Sequence, residues 1–73
     1  MMNFEEAKKK AKELRKDIDY CQEYEDAYIF SKKDDNSFGG QGPVVILKEN
    51  GKAINMVAYC NMSDADLVRE ADL

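Results

Sequence analysis

The chain contains no histidine and no tryptophan among its 73 residues. Without histidine, the commonest general base and the commonest metal ligand are both missing. Two cysteines, Cys21 and Cys60, are too few for a disulfide framework, and with no histidine beside them they do not make a closed zinc site. A cysteine nucleophile at either position would lack its usual partner. Both lie in segments of β character, so buried, reduced thiols are expected. No apolar run approaches the roughly 20 residues that a membrane-spanning helix needs. The opening Met-Met-Asn-Phe-Glu-Glu-Ala-Lys-Lys-Lys has no hydrophobic stretch after its charges, so it does not read as a secretory signal, and the cytoplasm is the expected compartment. Positive charge is also the minority: 11 Lys and Arg stand against 15 Asp and Glu, and the net charge of -4 argues against nonspecific nucleic-acid binding.

Glycine is sparse outside one stretch, Phe38-Gly39-Gly40-Gln41-Gly42, which runs into the single proline, Pro43. These glycines precede a strand and lack the Lys-Ser/Thr pair that opens a phosphate-binding helix. They read as a loop needing unusual φ angles, with small-ligand binding at Gly39–Pro43 kept as a third functional option. The acidic pairs Glu25-Asp26 and Asp34-Asp35 lack the spacing of a calcium loop and read as solvated carboxylates. No cofactor or metal is expected, and a domain this small has little room for a water-excluding catalytic pocket.

What is present is a hairpin. Two β-rich runs between Pro43 and Tyr59 flank Asn50-Gly51, the dipeptide suited to a two-residue turn with positive φ at both positions. With that turn at the tip, Leu47 faces Ile54, Val45 faces Met56 and Val44 faces Val57. Alternation then places Val45, Leu47, Ile54, Met56 and Ala58 on one apolar side. Val44, Ile46, Lys48, Ala53, Asn55, Val57 and Tyr59 share the other, mixed side. The apolar side is expected to be the core face beneath an N-terminal helix.

That helix is marked by Phe4, Ala7, Ala11, Leu14 and Ile18 at spacings of three and four. Asn3 is placed to cap it, with Glu6 three residues on. Lys8, Lys9, Lys10, Lys12, Arg15 and Lys16 read as its solvated face. Two strands are expected at Tyr20–Tyr24 and Ala27–Ser31, and a short helix at Asp64–Glu70 behind Ser63. The predicted architecture is a single α+β domain over residues 1–73. In it the helix packs on a four-stranded, mainly antiparallel sheet with the 43–59 hairpin at its centre, followed by the C-terminal helix. At this length stability is expected to be marginal.

Tyr20, Tyr24, Tyr28 and Tyr59, with Phe30, are many aromatics for so small a sheet. One reading makes them half-buried strand residues packed across one another. The sharper reading joins Tyr20, Tyr24, Tyr28 and Tyr59 to Val44, Ile46 and Val57 as an exposed face for a protein partner.

The aromatic strand Ala27-Tyr28-Ile29-Phe30, the glycine-bearing loop, and then Gly42-Pro43-Val44-Val45-Ile46-Leu47-Lys48-Glu49-Asn50-Gly51-Lys52 resemble the immunity protein 35 family. The specific part of the resemblance runs from about Ala27 to Ile54. Members are small bacterial proteins that protect a cell from its own polymorphic toxins, of peptidase type in that family. The resemblance implies a noncatalytic inhibitor of a toxin and carries over no catalytic residues. The alternative is a homodimeric structural or regulatory protein that uses the aromatic sheet face on itself.

Overall fold

The structure, a computed structural model, describes residues 2–32 and 43–73, so the expected glycine loop lies outside the described residues except for Pro43. The elements are α1 (Phe4–Leu14), β1 (Tyr20–Tyr24), β2 (Ala27–Ser31), β3 (Val44–Leu47), β4 (Ala53–Asn55), α2 (Met56–Met62) and β5 (Leu67–Asp72). The strands form one five-stranded sheet in the order β4-β3-β2-β1-β5, every neighbouring pair antiparallel.

α1 begins as its capping residues dictate. The Asn3 side chain accepts the Glu6 N–H at 2.9 Å, and Glu5 and Glu6 occupy the first turn, at the positive end of the helix dipole. The helix stops at Leu14, where Arg15 turns extended and returns its N–H to the Ala11 carbonyl. Arg15 departs from the solvated basic face expected of it. Its side chain is only 7% exposed and pairs with Asp17 at 2.8 Å, and that guanidinium holds the Asp17 carboxyl below its ordinary pKa.

The sheet is covered on both faces. On one, Ala7 and Ala11 of α1 meet Cys21, Tyr28, Phe30 and Ile46, together with Ile18 and the partly buried Phe4 and Val44. On the other, Tyr59 of α2 packs on Ala27, Ile29 and Val45, with Tyr24, Leu47, Ile54 and Met56 around it. β2 is the central strand, with Ala27 to Phe30 all buried, because its alternate residues feed both cores.

The expected alternation of the hairpin survives as far as Met56, while Ala58 is exposed and Tyr59, expected on the mixed side, joins Val45 instead. The helix above the hairpin is also a different one. Val45, Leu47, Ile54 and Met56 do share an apolar side, and it lies under α2; α1 covers the side of Val44 and Ile46. The physical reason is size complementarity. α1 offers small Ala7 and Ala11, which let it settle onto the bulky Tyr28 and Phe30 of β2, and Ile46 is the residue opposite Tyr28.

The hairpin is also at the sheet edge rather than its centre, and its register differs by two residues. Val44 pairs with Asn55, Val45 with Ile54 and Ile46 with Ala53. Four residues, Lys48 to Gly51, make the loop, closed by Leu47 N–H to the Lys52 carbonyl at 2.9 Å and Gly51 N–H to the Leu47 carbonyl at 2.8 Å. Within the loop Gly51 takes positive φ, at 70°, and Asn50 does not. A longer loop is favoured because it is held from outside. The Lys48 carbonyl accepts the Met2 N–H, the Gly51 carbonyl accepts the Lys10 ammonium, and the Lys48 N–H reaches the Asp26 carbonyl.

Two further expectations are corrected. The segment 56–59 continues as helix, not strand: Asn55 caps it by accepting the Ala58 N–H at 2.7 Å, and Met56 and Tyr59, three apart, turn inward together. The expected helix at 64–70 is instead a fifth strand. The Ser63 hydroxyl accepts the Ala65 N–H and donates to Asp26, so it shapes a turn, and the chain then pairs along β1. Seven residues of helix would gain little on their own, whereas β1 has an edge whose main-chain groups need partners.

Candidate protein-binding surface

The seven residues expected to form one exposed face are divided between the two cores and the rim. Ile46 and Tyr28 are buried under α1, where Tyr28 lies 5.9 Å from the Phe4 ring and 6.3 Å from Phe30. Tyr59 is buried in the opposite core, edge-on to Tyr24 at 6.0 Å. Tyr20 stands at the start of β1 beside Glu70, and its hydrogen bond to that carboxylate is the main cause that pushes its pKa up to about 12. The aromatic face is therefore not an exposed patch, since two covering helices take up residues of both parities. Val44 and Val57 do come together. With Leu14, Pro43, Ala53, Ile54, Asn55 and Met56 they line an open hollow of about 640 Å³ on the β4 side, where Val57 is 72% exposed.

Two polar clusters fix the geometry between elements. Asp26, in the β1–β2 turn, accepts the Tyr59 hydroxyl at 2.5 Å and the Ser63 hydroxyl at 2.6 Å, which ties α2 down at both ends of its last turns. Burial pushes the Asp26 carboxyl up, but the hydrogen bonds from Ser63 and Tyr59 outweigh it and leave the group below its ordinary value. Burial, then the contact with Asp26, raises Tyr59 to about 12. In the second cluster Glu23 lies between Lys48, at 2.7 Å, and Arg69, at 2.8 Å; the Lys48 hydrogen bond is the main cause of its lowered pKa. The Lys48 ammonium also sits 4.9 Å from the centre of the Tyr28 ring.

The cysteines are not bonded to each other. Cys21 is buried on β1, where burial raises its thiol to about 11, while Cys60 is exposed on α2 rather than buried. Among the described residues no group of three or more Cys, Asp or Glu is placed to hold a metal ion, and no helix is long and apolar enough to cross a membrane.

The sheet has two outer strands, β4 and β5, each paired on one side only among the described residues. Exposed apolar side chains stand at both: Leu14 and Val57 beside β4, Leu67 and Val68 in β5. All six residues of β5 are exposed. A second hollow, about 250 Å³, lies beside β1 and β5, with Phe4, Cys21, Glu23, Tyr28, Arg69 and Ala71 in its walls and Glu70 and Asp72 also bordering it. Leu67 and Val68, expected on a helix, stand on the outer strand β5 instead. No local signal separates the two placements, since adjacent apolar residues belong to a helical stripe as readily as to a strand. Comparison with family models, with curated proteins and with solved structures gave no match.

Proposed function

We propose that this chain is a noncatalytic protein-binding module, and that its partner is a bacterial toxin it inhibits. The observation that supports binding is the pair of open sheet edges, each flanked by exposed apolar side chains, Leu14 and Val57 at one and Leu67 and Val68 at the other. Outer strands present main-chain donors and acceptors to another chain, and proteins that do not use them usually shield them. The toxin enters through the resemblance of residues 27–54 to the immunity protein 35 family, whose members act by binding. The reading involves no cofactor, nucleic acid or membrane.

The test is to express the chain with a toxin encoded beside its gene, then measure growth rescue and isolate the complex by gel filtration. Rescue with a stoichiometric complex is the expected result; a folded chain that neither rescues nor binds would sink the toxin reading. The second reading, a homodimer, is favoured by the apolar hollow around Leu14, Val44 and Val57. Sedimentation of the isolated chain at micromolar concentration separates the two, since only the dimer changes mass on dilution.

A further inference from the structure

The two edges are not equivalent. β4 has three residues and leads at once into α2, whereas β5 offers six exposed residues in extended conformation. We infer that β5 is the docking edge, and that it takes an extended segment of another protein carrying cationic and apolar residues in alternation. The inference rests on the protein-binding reading above and specifies its mode.

The geometry follows from the ladder to β1. Leu73 N–H donates to the Asp19 carbonyl, and Cys21 pairs with Ala71 and Glu23 with Arg69. Main-chain groups alternate in direction along an antiparallel strand, so Arg69, Ala71 and Leu73 turn theirs toward β1 while Glu70 and Asp72 turn theirs toward the outer edge. The side chains alternate as well. Glu70 and Asp72 stand on the side of their partners Gln22 and Tyr20, whereas Ala71 stands with Cys21 above the hollow of about 250 Å³. A strand added outside β5 would therefore set every second side chain beside Glu70 and Asp72. Those in between would face the hollow next to Ala71, the smallest residue of the strand.

Charge decides what such a strand carries. A second copy of β5, paired antiparallel across the regular part of the strand, would put Glu70 opposite Glu70 or opposite Asp72. Like charges directly opposite are destabilising, so self-pairing is opposed. Lysine or arginine at those positions is favourable, and the net charge of -4 steers a cationic partner toward the chain. The apolar residue between them enters a hollow walled by Phe4, Cys21 and Tyr28 and by the Glu23–Arg69 ion pair.

The probe is a capped hexapeptide, Lys-Val-Lys-Leu-Lys-Thr, titrated into the isotope-labelled chain, with amide shifts and exchange protection as readouts. Two controls accompany it: the same peptide with Glu for Lys, and a sequence of identical composition with the alternation scrambled. Binding confined to residues 67–73 is expected, about tenfold tighter than either control, the size of two opposed charge pairs at a strand edge. Glu70→Lys should lessen that preference. Glu70→Pro should abolish binding while leaving the fold intact, because the N–H it removes points away from β1. Shifts mapping to the β4 edge, equal binding of the scrambled peptide, or dimerisation through β5 would overturn the inference. If a toxin binds and Glu70→Pro leaves its affinity unchanged, the protein-binding reading stands and this docking mode falls. If the alternating peptide binds at β5 and no toxin does, this docking mode stands and the toxin reading falls.

Discussion

Asp26 is a single carboxylate holding two elements together, and its protonation sets the pH range over which α2 stays docked. Its folded pKa lies below the ordinary value of 3.8, so its contribution is complete above that value and is lost as the pH falls through the folded one. Tyr59 is displaced the other way, from 10.0 to about 12; its contribution is complete below pH 10 and is lost as the pH rises through 12. The clamp therefore holds across the neutral range and opens at both ends. Asp26→Asn should cost about 1 kcal/mol in urea unfolding at pH 7, a modest figure because the carboxylate is near the surface, and the loss should vanish at acid pH. Tyr59→Phe keeps the ring in its core and should cost a similar amount, about 1 kcal/mol. Thiol chemistry gives a second check at this scale. Cys60 should react promptly with a disulfide reagent at pH 8, whereas Cys21, buried and raised to about 11, should wait for unfolding. Equal rates at the two thiols would contradict the burial of Cys21.

At the scale of elements, the hairpin loop shows how a local preference is modified by its neighbours. Asn50-Gly51 marks a turn in the sequence, and a turn is there. Whether it spans two residues or four depends on Met2 and Lys10, which hold the loop carbonyls from more than 40 residues away. Gly51→Ala should be destabilising by about 1 kcal/mol or more, since φ is 70° and a Cβ would come within 2.5 Å of the Met2 methyl. A Met2→Ala change made with it should recover the steric part and leave the conformational part; full recovery would show that φ carries no cost. α1 is legible because its cap agrees with Phe4, Ala7 and Ala11 of its stripe, although Leu14 is 52% exposed and Ile18 lies beyond the last turn. α2 and β5 are not. Val57 and Tyr59 have sheet-favouring side chains yet sit in a helix, because the Asn55 cap and the inward pair Met56 and Tyr59 outweigh them. Ser63 and Asp66 imitate a helix start, but Asp26, 37 residues earlier, claims the Ser63 hydroxyl. The same limit applies to the surface. Alternation assigns Tyr28 and Ile46 to a side of the sheet, and only the placement of two helices decides that both sides are covered.

For the molecule as a whole, two thin cores share one sheet, and β2 belongs to both. Phe30, fully buried and stacked on Phe4 with the rings 6.1 Å apart, holds the larger of them. Phe30→Ala should remove about 3–5 kcal/mol. A domain of this length has only about 4–11 kcal/mol in all, so thermal unfolding should approach or fall below ordinary growth temperatures. The strand order carries a further consequence. β1 is flanked by β2, its neighbour in sequence, and by β5, whose Ala71 lies 50 positions beyond Cys21. A polypeptide leaving the ribosome exposes that flank of β1 until the fifth strand has emerged from the exit tunnel. Sheet completion is thereby deferred until after translation of this region, and the nascent chain must pass that interval without being captured by another strand.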